Sequence, residues 1–401
     1  MSRLDVETFF DALAESGTQT QEQIRQLDNR GEKALPPFGV ERMAKLVGCT
    51  ANHIRNMEKA GRVQAPESKE IVQQGRGGPK TVKRRAYDLR DVNHYRDALG
   101  TRPNDATGAV RVVFSNQKGG VGKSTTSVHF AQYCALTGYR VLLVDLDPQA
   151  STTSVFGYIP DLDIEDEHTL RRALMEDPDH ISEVIRPTYW DGLDLVPSQL
   201  LLQNVDFGLA GGGRDDVLGP NWARLDSALA RIERLYDVIV IDTPPSMGIL
   251  NFNAVFAAHY LIVPMAPSMF DISSSINYCR VLAQLADSLR QMEAQMNLRR
   301  FNVLVTRNDG GPEHLRAAQV IRAIYREHVL VHQLMQTAEV QKSANDRKTV
   351  FEIDKPRGSK ETYRRALDLI TGVCEEILTN IRTLWLEDLS LTEQEPLRKG
   401  A

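Results

Sequence analysis

Residues 116–127 read NQKGGVGKSTTS, with glycines at 119, 120 and 122 and a Gly-Lys-Ser ending. A short apolar run, VRVVFS, precedes this stretch, and KSTTSVHFAQYCAL follows it with the character of a helix. A strand that breaks into glycines and resumes as a helix leaves few folds open. Glycine lets successive backbone N–H groups turn toward one point, and the helix N-terminus brings a positive dipole end to that point. Five further apolar runs, VLLVD, LDLV, VIVID, YLIVPM and NVLVT, alternate with helix-like segments beyond residue 106. Runs apolar on both faces and separated by helices imply a parallel sheet covered on both sides. The expectation for 106–401 is therefore an α/β nucleotide-binding domain with a mostly parallel sheet.

The loop residues Gly119, Gly120, Val121, Gly122, Lys123, Ser124 and Thr125 are the candidate nucleotide contacts. Lys123 is expected to reach the β- and γ-phosphates, and the Ser124 hydroxyl to ligate Mg²⁺. Two strand ends carry carboxylates: VLLVDLDPQAS places Asp145 and Asp147 there, and VIVIDTPPS places Asp242. Ligands of open α/β sheets bind at the carboxyl ends of strands. Ser124, Asp147 and Asp242 are accordingly the candidate metal-side residues. VTRNDGG at 305–311 lacks the Asn-Lys-x-Asp pattern of guanine readers, which favours ATP. The loop has two irregularities. Gln117 stands where such loops usually open with Gly, and a second lysine, Lys118, precedes the glycines.

The first hundred residues have another character. Leu4, Phe9, Phe10 and Leu13 are spaced for an amphipathic helix within 1–33. Pro36, Pro37 and Gly39 then break the chain. Val40, Met43, Ala44 and Val47 mark one helix face, Gly48 a stop, and Ile54 and Met57 the inner face of a second helix over 51–60. The second helix points Asn52, His53, Arg55, Asn56 and Lys59 outward. β-prone stretches follow, flanking a basic glycine-rich tip, with Lys83, Arg84 and Arg85 beyond it. This order resembles the winged helix-turn-helix domain of MerR-type regulators and implies DNA binding over 36–100. The residue types suit base edges and phosphates; a protein-docking module with a solvated basic loop is the other reading. GTRPNDATGA at 100–109 reads as a linker.

Composition sets limits. The net charge is −5 and the pI about 6.0, so nucleic-acid contact has to come from local patches. Cys49, Cys134, Cys279 and Cys374 form no metal-binding spacing and suit a reducing cytoplasm. The start MSRLDVETFF has no apolar run behind a basic segment, and no stretch is apolar enough to span a bilayer.

KGGVGKST, DLDPQAS and DTPPS, in this order, resemble the deviant P-loop ATPases of the ParA/MinD group. The resemblance implies a nucleotide-sandwich homodimer in which Lys118 reaches the partner's phosphates and Lys123 serves its own. It implies that Asp147 orients the attacking water, that Asp242 holds Mg²⁺ through water, and that DTPPS is a switch sensing the γ-phosphate. Residues 337–367 resemble the C-terminal stretch of ParA proteins. Lys342, Arg347, Lys348, Lys355, Arg357, Lys360, Arg364 and Arg365 are its candidate contacts to nonspecific DNA. LWLEDLSLTEQEP is acidic, unlike the basic membrane helix of MinD-like members, so no membrane partner is expected. The upstream module points to the larger plasmid-partition subclass, with a dimerising first helix, a ParB-type centromere-binding partner, operator repression with ADP, and a place on the nucleoid. A repressor that uses nucleotide only as a ligand is the alternative.

Overall fold

The computed structural model describes residues 11–13, 15–20, 23, 33–75, 78–210, 218–354 and 358–398. Residues 1–34 and 35–401 form two compact units. In the first, the described residues are helical up to 23 and Leu13 is exposed. The expected apolar positions Leu4, Phe9 and Phe10 lie outside the described residues.

The second unit opens with α1 (Val40–Val47), α2 (Ala51–Lys59), the antiparallel hairpin β1 (Ser68–Gly75) and β2 (Gly78–Arg85), and α3 (Leu89–Leu99). Gly48 ends α1 at φ 80°, a conformation that glycine adopts without Cβ strain, and its N–H reaches the Ala44 and Lys45 carbonyls. Thr50 caps α2 by accepting from the His53 N–H, and Asp88 and Asp91 form a reciprocal capping box on α3. Met43, Ala44, Val47, Ile54 and Met57 are all buried, as their spacing requires. The Glu58 side chain is buried beneath the hairpin, where it accepts from Tyr87 Oη (2.6 Å) and Tyr95 Oη (2.9 Å) and pairs with Arg85.

The remaining chain builds a seven-stranded sheet. Its elements are β3 (Val110–Phe114), α4 (Lys123–Thr137), β4 (Val141–Asp145), α5 (Ser151–Val155), β5 (Arg186–Pro187), β6 (Leu193–Val196), α6 (Arg224–Ile232) and β7 (Val238–Asp242). They continue with α7 (Ile249–Ala257), β8 (Tyr260–Met265), α8 (Met269–Gln291), β9 (Arg300–Val305), α9 (Pro312–Tyr325), α10 (Ala338–Asn345) and α11 (Lys360–Arg398). Strand order is β5-β6-β4-β7-β3-β8-β9, parallel except for β5. Alternate residues divide between two cores. Val110, Val112 and Phe114 of β3 face one side with α4 and α11, while Val113 faces the other with α6 and α7. α11 buries Ala366, Ile370, Val373, Ile377, Ile381 and Leu384, a helical stripe laid along the first core.

The six apolar runs read from the sequence are β3, β4, β6, β7, β8 and β9. The two-residue β5 was not anticipated: it pairs antiparallel to β6 at one border of the sheet. At the other border, single bridges join Val303 to Val329 and Asn308 to Met335.

The upstream helices pack into the first core alongside α4. Arg96 of α3 is 3% exposed and holds the junction. Its Nη2 donates to the carbonyls of Leu46 (2.9 Å) and Leu136 (2.5 Å), and its Nη1 to Asn93 Oδ1 (2.8 Å). Asn93 in turn donates to Asp191 Oδ2 at 2.7 Å. The segment expected as a linker lies against the sheet domain, where the Gly108 carbonyl accepts from Trp385 Nε1 (2.9 Å) and Arg102 donates to the Gly138 carbonyl (3.3 Å). Among the described residues, no helix is long and apolar enough to cross a membrane.

Candidate nucleotide and metal site

The loop between β3 and α4 sits at the carboxyl end of β3, an interior strand of the sheet between β7 and β8. Gly120 and Gly122 take φ of 72° and 89°, and Gly122 is the N-cap of α4. These left-handed turns are what the glycines supply; a Cβ there would be strained. The N–H groups of Gly120 and Gly122 find no acceptor among the described residues. Donors left open at a helix N-terminus make an anion cradle. Lys123 is 6% exposed, and its Nζ donates to the Lys118 carbonyl at 3.1 Å. Burial lowers its pKa, and Asp242 and then Asp147 oppose that shift.

Parallel pairing of β4 with β7 puts Asp145 and Asp242 side by side in register. Their surroundings separate their roles. Asp145 is saturated: it accepts from Thr153 N (2.8 Å), Thr153 Oγ1 (2.7 Å) and Asp147 N (3.1 Å). Burial, followed by the neighbouring Asp242, pushes its pKa well up. Asp242 accepts from Thr152 Oγ1 at 2.8 Å through one oxygen, while its buried Oδ1 has no hydrogen bond. Burial raises its pKa to about 6, against the opposing influence of Ser124 and Thr152. A desolvated carboxylate oxygen without a donor, beside a serine hydroxyl, matches the oxygen donors that a small divalent cation takes. The pair therefore fits Mg²⁺.

Asp147 is 7% exposed, accepts from Gln149 N (3.0 Å) and lines the same cavity as Lys123 and Ser124. Burial raises its pKa, while the Gln149 N–H and then Lys123 oppose that shift. Ala150 follows at φ 52°, one of five non-glycine residues with positive φ among those described. That strain sits on the turn that carries Asp147 into the cavity.

The cavity measures about 510 Å³. Its phosphate end is the glycine loop. The other end is lined by Leu334–Thr337, Val340 of α10, and Leu369, Ile370 and Val373 of α11. Sequence reading missed this end. The apolar spacing of α11 was visible, but nothing in it distinguishes a helix that lines a ligand cavity from one that only covers a sheet. Thr306 and Arg307 were also missed. They follow β9, line the same cavity and hold the glycine loop through Thr306 Oγ1 to the Val121 carbonyl (2.7 Å) and Arg307 Nη1 to the Gly120 carbonyl (2.6 Å).

Lys118 is not among the residues lining that cavity. Its Nζ pairs with Asp271 Oδ1 at 2.7 Å, in the first turn of α8. Met269 and Phe270 beside it are 67% and 85% exposed.

The candidate DNA contacts fall into two groups. On α2, Asn52, His53, Arg55, Asn56 and Lys59 all lie on the exposed face; Arg55 also donates to Asn52 Oδ1 at 2.9 Å. On β2, Lys83 is exposed, Arg84 is placed by its backbone alone, and Arg85 pairs with the buried Glu58 carboxylate while its own side chain stays exposed. In the C-terminal group, Lys342 lies on α10, and Lys360, Arg364 and Arg365 on the first turns of α11. Arg347, at φ 53°, and Lys348 form the turn after α10. Lys355 and Arg357 lie outside the described residues.

A family model described as an AAA domain matches residues 110–298. The chain is 36% identical over 350 residues to Protein SopA of Escherichia coli K12, covering 84% of this chain and 86% of that protein. It is 30% identical over 271 residues to the chromosome-partitioning ATPase Soj of Thermus thermophilus, covering 66% of this chain and 97% of that one. A solved structure described as a partition protein superposes with a TM-score of 0.58 at 19% identity, over 84% of this chain and 97% of that one, and shows the shared fold.

Proposed function

This chain belongs to the ParA-type partition ATPases, and on that premise we propose that it hydrolyses ATP to drive segregation of a DNA element. The observation that carries the reading is the joint geometry of the cradle and the carboxylates. Open N–H donors, buried Lys123 and Asp147 line one cavity with Ser124, and the unpartnered oxygen of buried Asp242 belongs to the carboxylate beside that serine. The glycine N–H groups and Lys123 hold the β- and γ-phosphates. Ser124 and Asp242 hold Mg²⁺, which supplies positive charge against the phosphate oxygens. Asp147 orients the attacking water. As water bonds to the γ-phosphorus, the bond to the bridging oxygen breaks and leaves ADP and phosphate.

Two ATP-bound copies face each other, and Lys118 of each leaves Asp271 to reach the other's phosphates. That form coats nonspecific DNA through the cations of 337–367 and meets a ParB-type partner, which places the protein on the nucleoid. Hydrolysis dissolves it. With ADP, the exposed face of α2 reads an operator and represses transcription, and the hairpin cations contact phosphate.

The decisive measurement is ATP turnover with and without random DNA and the cognate centromere-binding protein, beside Lys123→Ala. We expect turnover that rises with both additions and disappears in the variant. Nucleotide binding without stimulated turnover would replace this reading with that of a nucleotide-regulated repressor.

A further inference from the structure

The glycine loop works only if its peptide planes are turned one way. In a trans peptide the carbonyl and the following N–H point in opposite directions. A loop whose N–H groups face the phosphates therefore turns its carbonyls the other way, and those carbonyls need donors. Two come from residues far away in sequence. The Gly120 carbonyl accepts from Arg307 Nη1 at 2.6 Å, and the next carbonyl, Val121, accepts from Thr306 Oγ1 at 2.7 Å.

The supporting strand end is itself constrained. Thr306 is 1% exposed, and its N–H donates to the Met265 carbonyl at 2.9 Å, so its hydroxyl is fixed by the sheet. Arg307 takes φ 54°, a left-handed backbone that an L-residue adopts at a cost. That turn lets consecutive residues reach consecutive carbonyls. Gly120 is required by its φ of 72° rather than by crowding, since a Cβ there would meet Arg307 Nη1 at an ordinary 3.4 Å.

We propose that Thr306 and Arg307 form a clamp on the phosphate loop, positioning the Val121 and Gly122 N–H groups and so setting nucleotide affinity. The clamp rests on the nucleotide-site reading above. It adds two positioning residues from the far end of the sheet, neither of which supplies the phosphates' own contacts in this role. Because it orients the cradle common to both nucleotides, the clamp acts on ADP and ATP alike.

The test measures dissociation constants of a fluorescent ADP and a non-hydrolysable ATP analogue for the full chain, with melting of the nucleotide-free protein alongside. Losing one charge-assisted hydrogen bond from the clamp weakens binding by roughly tenfold or more. Arg307→Ala should do so for both nucleotides with nucleotide-free melting little changed, and Thr306→Val, which loses a neutral bond, should weaken both by roughly two- to tenfold and lower melting through the unpaired Val121 carbonyl. Arg307→Lys and Thr306→Ser, which keep a donor, should recover most of the loss. Unchanged affinity in both Arg307→Ala and Thr306→Val overturns the clamp. Weakening in Arg307→Ala alone also overturns it and makes Arg307 a direct ligand contact. A wild-type chain that binds neither nucleotide would instead bring down the nucleotide-site reading itself, and the clamp with it.

Discussion

Arg96 is the residue whose removal should separate the upstream module from the sheet domain. Its guanidinium is buried between α1, α3 and the C-terminal end of α4, where it satisfies two backbone carbonyls and the Asn93 amide oxygen. Arg96→Ala leaves three buried acceptors without donors, at about 1–3 kcal/mol each. Against this stands the cost of burying the charge, which lowers the pKa from 12.5 to about 10. That shift corresponds to roughly 3 kcal/mol recovered when the charge is removed. The balance is a net loss of about 0–6 kcal/mol, about 3 at its middle, concentrated at the junction. Urea unfolding followed by tryptophan fluorescence is the assay, because buried Trp190 adjoins Asp191, the acceptor for Asn93. We expect the single wild-type transition of residues 35–401 to divide, with an earlier step and faster proteolysis at 100–109. Arg96→Lys, which keeps the charge but not the fork of donors, should fall between. A variant that unfolds in one transition within about 1 kcal/mol of wild type would show that apolar packing, not Arg96, joins the two parts.

Asp147→Ala should bind ATP with near-normal affinity and stop turnover; an equal loss of both, by titration and phosphate release, would make Asp147 a binding residue. Asp271→Asn removes the charge that holds Lys118, so ATP-dependent dimerisation measured by light scattering should occur at lower ATP concentration, whereas a higher requirement would make the pair a support of the active form. His259 is held to a pKa of about 4, chiefly by burial and then by Arg111. Its neutral form is favoured in the fold, so stability is complete above the unfolded pKa of about 6.5 and falls as pH drops toward 4. The loss is on the order of 3 kcal/mol, and His259→Gln should flatten that part of the stability–pH curve measured by calorimetry; an unchanged curve refutes the assignment.

Much of this architecture is written in one-dimensional patterns. Apolar runs with β-branched residues located β3, β4 and β6–β9, and the glycine loop located the phosphate cradle between β3 and α4. Asp145, Asp147 and Asp242 were found because a strand's carboxyl end is a fixed place in such a sheet. The sequence could not separate their environments. That Asp145 is saturated and Asp242 is not depends on Thr152 and Thr153, whose hydroxyls turn toward them only in the folded chain. The pairings Arg307–Gly120, Lys118–Asp271, Arg85–Glu58 and Arg96–Leu136 were equally hidden. Periodicity reports which face of an element is buried; it carries no record of which distant polar group meets which.

The borders of the sheet limit how copies of this chain can associate. An open strand edge offers a row of unpaired N–H and C=O groups on which another chain can build. Here one border is the two-residue β5, ending in Pro187, which has no N–H to give. Beyond β9, the bridges to Val329 and Met335 occupy the other. Neither border offers a long template, so growth by strand addition, the route to fibrils, is blocked at both sides of the sheet. Copies of this sheet domain can meet through side chains and separate again, because among the described residues neither border of the sheet offers a continuous backbone ladder to lock them together.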